Sequence, residues 1–450
     1  MLQQKNSPSQ DTNMVMKSSH SDVLIVGSGI FGTSTAYHLS QSHASLRVTV
    51  LDRAPAPSPS AASSDINKIV RADYSIPFYM DLAYEAMQSW IDSPLLSRYF
   101  HQTGWVALDE KGSDLSTRIR KNLRESGRPD TSADITLDEV KTRWDGVLSG
   151  IDTTGCDKAY TNSSAGWADA SSAVEAMMAE AAEAGVHHEV GEVVELVVAD
   201  DVDRRQKLEG VRTADGRRFT GDKILLATGA WTPWLMSPLE KTLHVAEQDG
   251  IRRQIQAAGV CVAAFELSDD AEAERYSRMP VLIYGSKGEV MPPSKDRLFK
   301  FTNSNTFLNT KLHPDTGQEI SVPEPDQKDV PLALKDESLD VIRQRVPEVL
   351  DNGRSPDDWR ICWDAVSPDQ NQLITRHPDP RLSNLFLATA GSFHSWKFLP
   401  NIGRYVVNVL NGKSNGPEKD EAWAWKRAWA ARGAHEKVLP TREFADISKS

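Results

Sequence analysis

A glycine-rich turn between an apolar strand and a helix, close to the start of this chain, limits the available folds more than any other stretch. Asp22-Val-Leu-Ile-Val26 reads as a buried strand, Gly27-Ser-Gly29-Ile-Phe-Gly32 follows, and Thr33 to Ser40 has helical character. Leu46 to Leu51 predicts a second strand, which ends at Asp52. Strand, helix and strand in that order pack a parallel sheet. The first glycine permits the turn, the second lets backbone approach a pyrophosphate, and the third lets helix and strand pack closely. Ile30 and Phe31, between the second and third glycines, belong to the expected cofactor site, where helix N-terminal N–H groups and the macrodipole favour negative charge. Asp52 stands twenty positions beyond Gly32, followed by Arg53, and a carboxylate there accepts hydrogen bonds from ribose hydroxyls. A glycine turn alone serves packing as readily as binding. Strand, turn, helix, strand and acid together indicate a dinucleotide. The motif does not separate FAD from NAD, and the acid disfavours the 2′-phosphate of NADP.

The chain has 450 residues, 39% of them apolar and 25% charged, which is compatible with two globular domains. A net charge of −12 argues against nucleic acid or an anionic membrane as the main partner. No apolar run is long enough to span a bilayer. Cys156, Cys261 and Cys362 form an odd, sparse set without disulfide or metal-ligand spacing. No metal site is expected, and a reducing, cytoplasmic location is. A monomer is the expected state. Residues 1–20 read as a disordered polar tail. The final Ser-Lys-Ser resembles a peroxisomal Ser-Lys-Leu signal without its leucine, so a peroxisomal address is left unsupported.

Further along, Ala170 to Ala184 predicts a helix, and Val186 to Val190 and Glu192 to Val198 predict strands. Asp200 to Arg218 reads as a charged hairpin region turning at Asp215-Gly216. Lys223 to Ala227 is a buried strand closed by Thr228 and Gly229. Pro280 to Tyr284 and Arg297 to Phe301 are short strands among polar, Pro-rich loops. Leu385 to Thr389 predicts a strand, Gly403 to Leu410 a helix, and Trp423 to Arg432 an amphipathic helix. The expected architecture is α/β plus an antiparallel sheet. Residues 21–100, 160–245 and 355–415 would form a discontinuous Rossmann-like domain. Residues 101–159 and 246–354 would form an inserted substrate domain, and 416–450 a C-terminal helix and tail.

Two late segments carry the most specific pattern: Arg360-Ile-Cys-Trp-Asp364 and Gly391-Ser-Phe-His-Ser-Trp-Lys-Phe-Leu-Pro-Asn-Ile-Gly403. With the glycine turn, Ser164 to Asp169 and Ala227 to Trp231, they resemble the sarcosine oxidase and fructosyl amino acid oxidase (amadoriase) family of flavoenzymes, fungal type. The likeness runs from about Ser21 to Leu410. It implies an FAD-binding domain of the glutathione-reductase/DAO type and FAD attached covalently through the sulfur of Cys362, a thiolate being the nucleophile suited to that bond. A lone cysteine is more often a small buried hydrophobe; its matched surroundings favour attachment. Lys300 matches the lysine that assists reaction with O2, where a fixed cation favours formation of an anion. Alternation puts Leu298, Lys300 and Thr302 on one face and Phe299 and Phe301 on the other. Ser63, Ser64, Asn67 and Lys68 resemble a second flavin-contacting segment, and Val193, Thr228 and Gly229 complete the expected cofactor site. Backbone N–H groups from Phe393 through His394 to Ser395, with Lys397 near, are expected to face the ring.

The resemblance also points to a carboxylate substrate. Arg71 matches a family arginine that binds it, and Lys397 shares that role; an arginine fork holds both oxygens. A surface pair between Arg71 and Asp73 is the alternative. Amadoriases place a sugar-binding glutamate in the region of Val290 to Ser294, where this chain has Pro292 and Pro293, with Glu289 nearby. Arg427 is a loose match to a C-terminal amadoriase arginine. A sarcosine-oxidase histidine is missing, with Asn303 and Ser304 in its place. The pattern implies FAD-dependent oxidation of the C–N bond of a secondary amine, with O2 as acceptor, giving an imine and H2O2. The substrate would be an N-alkyl amino acid such as an N-methyl amino acid, pipecolate or saccharopine, or a related biosynthetic intermediate. Two alternatives are a deglycating fructosyl amino acid oxidase and a flavin dehydrogenase passing electrons to a protein.

Overall fold

The chain is described by a computed structural model over residues 19–43, 45–198, 208–284, 288–428 and 439–448. Two eight-stranded sheets organise these residues. The first runs in the order Val193–Val198, Leu208–Thr213, Arg218–Leu226, Ser19–Val26, Val48–Asp52, His187–Val190. Leu385–Thr389 joins it beside Arg218–Leu226, and Leu373–Arg376 pairs in turn with Leu385–Thr389. Ser19–Val26 is parallel to both of its neighbours. Helices on both faces require such a strand to be apolar throughout, and Leu24, Ile25 and Leu225 are fully buried.

The glycine turn is held by contacts that tolerate no side chain. Gly27 has φ +102°, a region L-residues avoid, and its N–H donates to the carbonyl of Leu51 at 2.8 Å. A Cβ on Gly32 would overlap the carbonyl oxygen of Gly27. The helix Ile30–Ser42 then crosses the helix Ile402–Leu410, where the Gly403 N–H donates to Ser34 Oγ at 2.8 Å. A Cβ on Gly403 would overlap the Ser34 backbone. First and last helices of the layer meet because both carry a small residue at the crossing.

The second sheet runs Asp358–Val366, Gln256–Glu266, Leu298–Phe307, Gly288–Met291, Val281–Tyr284, Trp105–Glu110, Cys156–Asn162, Ser132–Ile135. Its pairs are antiparallel except Val281–Tyr284 with Trp105–Glu110. The expected alternation in Leu298–Phe307 holds: Phe299 and Phe301 pack with Phe265 and Tyr276 in this sheet's core, while Lys300 leaves by the other face. A three-stranded sheet of Asn67–Val70, Gly166–Asp169 and Phe100–His101 stands apart from both. Residues 442–447 clasp the second sheet. Leu308 bridges to Glu443, Phe444 stacks on Phe307 at 5.5 Å, and Arg442 pairs with Glu337 at 2.7 Å.

Two expectations change. The strand with Cys362, grouped by sequence with the nucleotide-binding segments, pairs along its whole length with Gln256–Glu266 of the second sheet. The late helix is Pro417–Trp423, ending where Trp423 to Arg432 was expected to begin. Trp423 is buried in the core around the first helix layer, whereas Trp425 packs in a different core, against His377. The chain must leave the helix between them, and Ala424 is extended. Residues 1–18 of the expected tail, 200–207 of the expected hairpin, 429–432 of the expected helix and Lys449-Ser450 lie outside the described residues.

Gly32→Ala forces the turn apart and is expected to cost about 1–3 kcal/mol, lowering the thermal midpoint by about 1 °C per kcal/mol in a chain of this length. At Gly29 the added methyl would meet the Ser63 hydroxyl at 3.1 Å, so Gly29→Ala should move the midpoint far less. Calorimetry of both variants checks the contrast.

Candidate active site

One cavity of about 440 Å³ reaches from the glycine turn to the second sheet. Gly27, Gly29, Ile30 and Phe31 line it, as do Asp52, Arg53, Val193, Thr228 and Gly229. The helix Ile30–Ser42 starts at Gly29 with no side-chain cap from that residue and no acid in its first turn. That leaves a helix N-terminus at the cavity wall with no acid against it, which suits a pyrophosphate. Gly32 lies behind the wall and serves packing. Asp52 spends most of its acceptor capacity on the loop: the Ser28 N–H and Oγ donate to Oδ2 at 2.6 and 2.8 Å, and the Arg53 N–H to Oδ1 at 2.7 Å. Arg53 lies over the Trp231 ring at 4.5 Å.

The loop before Asn67–Val70 carries the site's strongest electrostatic feature, which the sequence reading missed. Asp65 is buried and its Oδ2 accepts from Lys68 Nζ at 2.7 Å and Lys300 Nζ at 2.8 Å. Lys300 also donates to the carbonyl of Asn67 at 2.8 Å. Burial pushes the Asp65 carboxyl up, but the two ammonium groups outweigh it and hold it far below the ordinary range. Burial works to lower the Lys68 ammonium, but Asp65 prevails and holds it above its ordinary value. Burial pushes Lys300 down against the pull of Asp65, and the net direction is down. Asp65, Lys68 and Ser63 line the cavity. Lys300 reaches it through Asp65. Ser63 Oγ accepts from the Ile30 N–H at 3.0 Å, tying this loop to the helix N-terminus. Ser64 faces a second cavity, and Asn67 is buried with its amide donating to the carbonyl of Pro292 at 3.3 Å.

Cys362 lines the main cavity as a buried free thiol beside Val260, Val262, Ala62 and Phe393. Asp364 follows on the same strand face, and its carboxylate accepts from the N–H of Phe393 at 2.7 Å. This corrects one expectation. The N–H groups of Phe393, His394 and Ser395 do not wait for a ligand: the first goes to Asp364 and the other two to the carbonyl of Gly391, at 3.0 and 3.1 Å. Ala390, Ser392 and Phe393 all have positive φ, so the turn is a strained one held shut by Asp364. The side chains of Phe393, His394 and Ser395 still reach the cavity wall.

Arg71 and Lys397 lie together at this wall. Lys397 Nζ donates to Tyr74 Oη at 3.0 Å and to the carbonyl of His394 at 2.6 Å. Burial, with the Arg71 charge close by, pushes its ammonium well below the ordinary value. Arg71 donates to the backbone carbonyl of Asp73 and lies over the Tyr74 and Trp105 rings at 4.8 and 4.7 Å. The Asp73 carboxylate instead accepts from Asn162 at 3.0 Å and Tyr160 at 3.2 Å, deep in the core. The surface pair with Asp73 is therefore replaced by a cation facing the cavity. Arg427, the loose amadoriase match, is 83% exposed beside Asp249 and far from any lining role.

Asp65 escaped the sequence reading because its partner Lys300 is 235 positions away. Asp364 carried a usable signal, the two-residue spacing from Cys362.

Among the described residues no helix is long and apolar enough to cross a membrane. In sequence the chain is 29% identical to an L-saccharopine oxidase of Schizosaccharomyces pombe, covering 90% of this chain and 93% of that protein. It is 22% identical to a monomeric sarcosine oxidase of a Bacillus species, over 88% and 94%. A solved fructosyl peptide oxidase superposes with a TM-score of 0.80 at 27% identity, covering 95% of this chain and 98% of the other. Amadoriase I of Aspergillus fumigatus superposes at 0.74 with 28% identity, over 91% and 90%. Residues 22–409 match the family model described as FAD dependent oxidoreductase. With the glycine turn, the helix terminus and the long cavity in agreement with that cofactor, the chain belongs to the DAO family of FAD-dependent oxidoreductases.

Proposed function

We propose that this protein oxidises the C–N bond of a secondary amine, an N-alkyl amino acid, with O2 as acceptor, and that its FAD is joined covalently to Cys362 Sγ. The observation that carries the reading is one cavity walled by the glycine turn and Cys362 and also by Arg71 and Lys397. Two cations with no carboxylate partner within ion-pair distance among the described residues suit a substrate carboxylate. Their charge also favours the neutral form of a nearby substrate amine, the form able to give up a hydride equivalent. FAD, when bound, supplies a two-electron acceptor that O2 restores with release of H2O2. Lys300 holds a proton beside that chemistry, and Asp65 keeps it there against the cost of burial. The relatives support the class: one is named as a saccharopine oxidase and another as a sarcosine oxidase. Fructosyl amino acid oxidation is the second reading, favoured by the solved structures this chain superposes on. The prolines at 292 and 293, where the family resemblance puts a sugar-binding glutamate, weigh against it.

Peroxide release from N-methyl amino acids, pipecolate and saccharopine, with none from fructosyl amino acids, is the expected outcome of a substrate screen. The opposite preference would sink the leading reading. Arg71→Met should raise KM for the preferred acid by roughly tenfold or more, the scale of a charge-assisted bidentate contact. Acid precipitation of the wild type should leave the yellow colour in the pellet, and Cys362→Ala should release it to the supernatant.

Lys300→Met should slow reoxidation by O2 by on the order of a hundredfold, read by stopped flow. A reoxidation already sluggish and indifferent to that change would mark a dehydrogenase. Asp65→Asn removes the charge that pulls Lys300 up. Burial and the Lys68 charge are then opposed only by Glu289, and the Lys300 proton is lost at lower pH. The basic limb of the reoxidation rate should shift to lower pH in that variant.

A further inference from the structure

Glu289 lines the main cavity, and its charge has no task so far. It lies on Gly288–Met291, directly opposite Thr302 on one neighbouring strand and Ile283 on the other. Paired residues share a sheet face, and Ile283, Glu289 and Thr302 all line the main cavity as a row. The alternate residue Val290 is buried in the second sheet's core. Lys68, Lys300, Lys397 and the buried Arg345 all feel the Glu289 charge. Among the described residues, though, none of their nitrogens comes within ion-pair distance of it. Its single hydrogen bond is from Thr302 Oγ1 at 3.4 Å, at the weak end of the range.

A half-buried carboxylate that accepts one long hydrogen bond has most of its lone pairs unused. On an open surface water takes them. On the wall of a cavity that a substrate fills, they need a donor or the charge is stranded. The protein cations that feel its charge are already held, Lys68 and Lys300 by Asp65, Lys397 by Tyr74 and the His394 carbonyl, and Arg345 by the Thr302 carbonyl. The donor is then left for the substrate to bring.

We infer that Glu289 is a specificity-determining residue that binds a primary ammonium of the substrate, set apart from the secondary amine that is oxidised. The substrate class is narrowed to N-alkyl amino acids bearing a carboxylate for Arg71 and Lys397 at one end and a free ammonium for Glu289 at the other. This rests on the amine-oxidase reading above.

The test compares two probes on the flavin-loaded enzyme, N-(4-aminobutyl)glycine and N-pentylglycine. They are close in length and differ in the terminal ammonium. Dissociation constants come from the dependence on probe concentration of the anaerobic change in flavin absorbance, followed by stopped flow, with peroxide release measured separately in air. Wild type should bind the amino probe roughly tenfold more tightly, and Glu289→Gln should bring the ratio close to one. Thr302→Val, which removes only the neighbouring hydroxyl, should keep most of the preference. A ratio near one in the wild type, or a preference that survives Glu289→Gln, overturns the inference. Discrimination in binding without peroxide release would leave the inference standing and defeat the oxidase reading instead.

Discussion

The Asp65 carboxylate, shared by Lys68 and Lys300, is the contact on which the cavity depends. It joins a loop that caps the nucleotide-side helix to a strand of the other sheet. Neighbouring contacts serve the same loop from the same side: Arg360 donates to the carbonyls of Ala61 and Ser64, and Gln327 to that of Ser60 at 2.8 Å. Breaking a buried pair by removing one partner leaves a charge without compensation, typically at about 3–5 kcal/mol. A carboxylate between two buried ammonium groups therefore fixes more than a distance. It sets the position of Lys300 and how readily Lys300 keeps its proton.

The positive groups at the substrate end are handled in the opposite way. Arg71 leans on the Tyr74 and Trp105 rings, and Lys397 on Tyr74 and Phe398. Aromatic faces and carbonyl oxygens hold a cation without cancelling it. The site thus contains a cation pair half-neutralised by Asp65 and a second pair around Tyr74 without a carboxylate partner among the described residues. The second is the place to which the proposed function assigns a substrate carboxylate.

How much of this was legible in the sequence followed the range of the interactions. The strand, turn, helix and acid from Asp22 to Asp52 are local, and each residue type fits its place for a reason visible within thirty positions. The alternation of Phe299, Lys300 and Phe301 was equally plain, because a strand face is a local property. The sheet that receives the Cys362 strand was not legible, since Arg360 to Val366 would suit either sheet and register is chosen by distant partners. The Phe393 turn misled for a similar reason. A glycine-bounded loop advertises free N–H groups, and only the fold shows that Asp364 and Gly391 have taken them. The tryptophans at 423 and 425 looked like one helical stripe, yet they belong to different cores.

The interleaving of the two sheets bears on how such a chain reaches its fold. Ser19–Val26, the centre of the first sheet, gains one parallel partner early in Val48–Asp52 but must wait roughly two hundred residues for the other, Arg218–Leu226. Trp105–Glu110 in the second sheet waits about as long for Val281–Tyr284. Even the strand beside Cys362 is backed by Phe444, close to the chain's end. Both sheets therefore close only when segments distant in sequence meet, and the cavity between them takes shape only where both have closed.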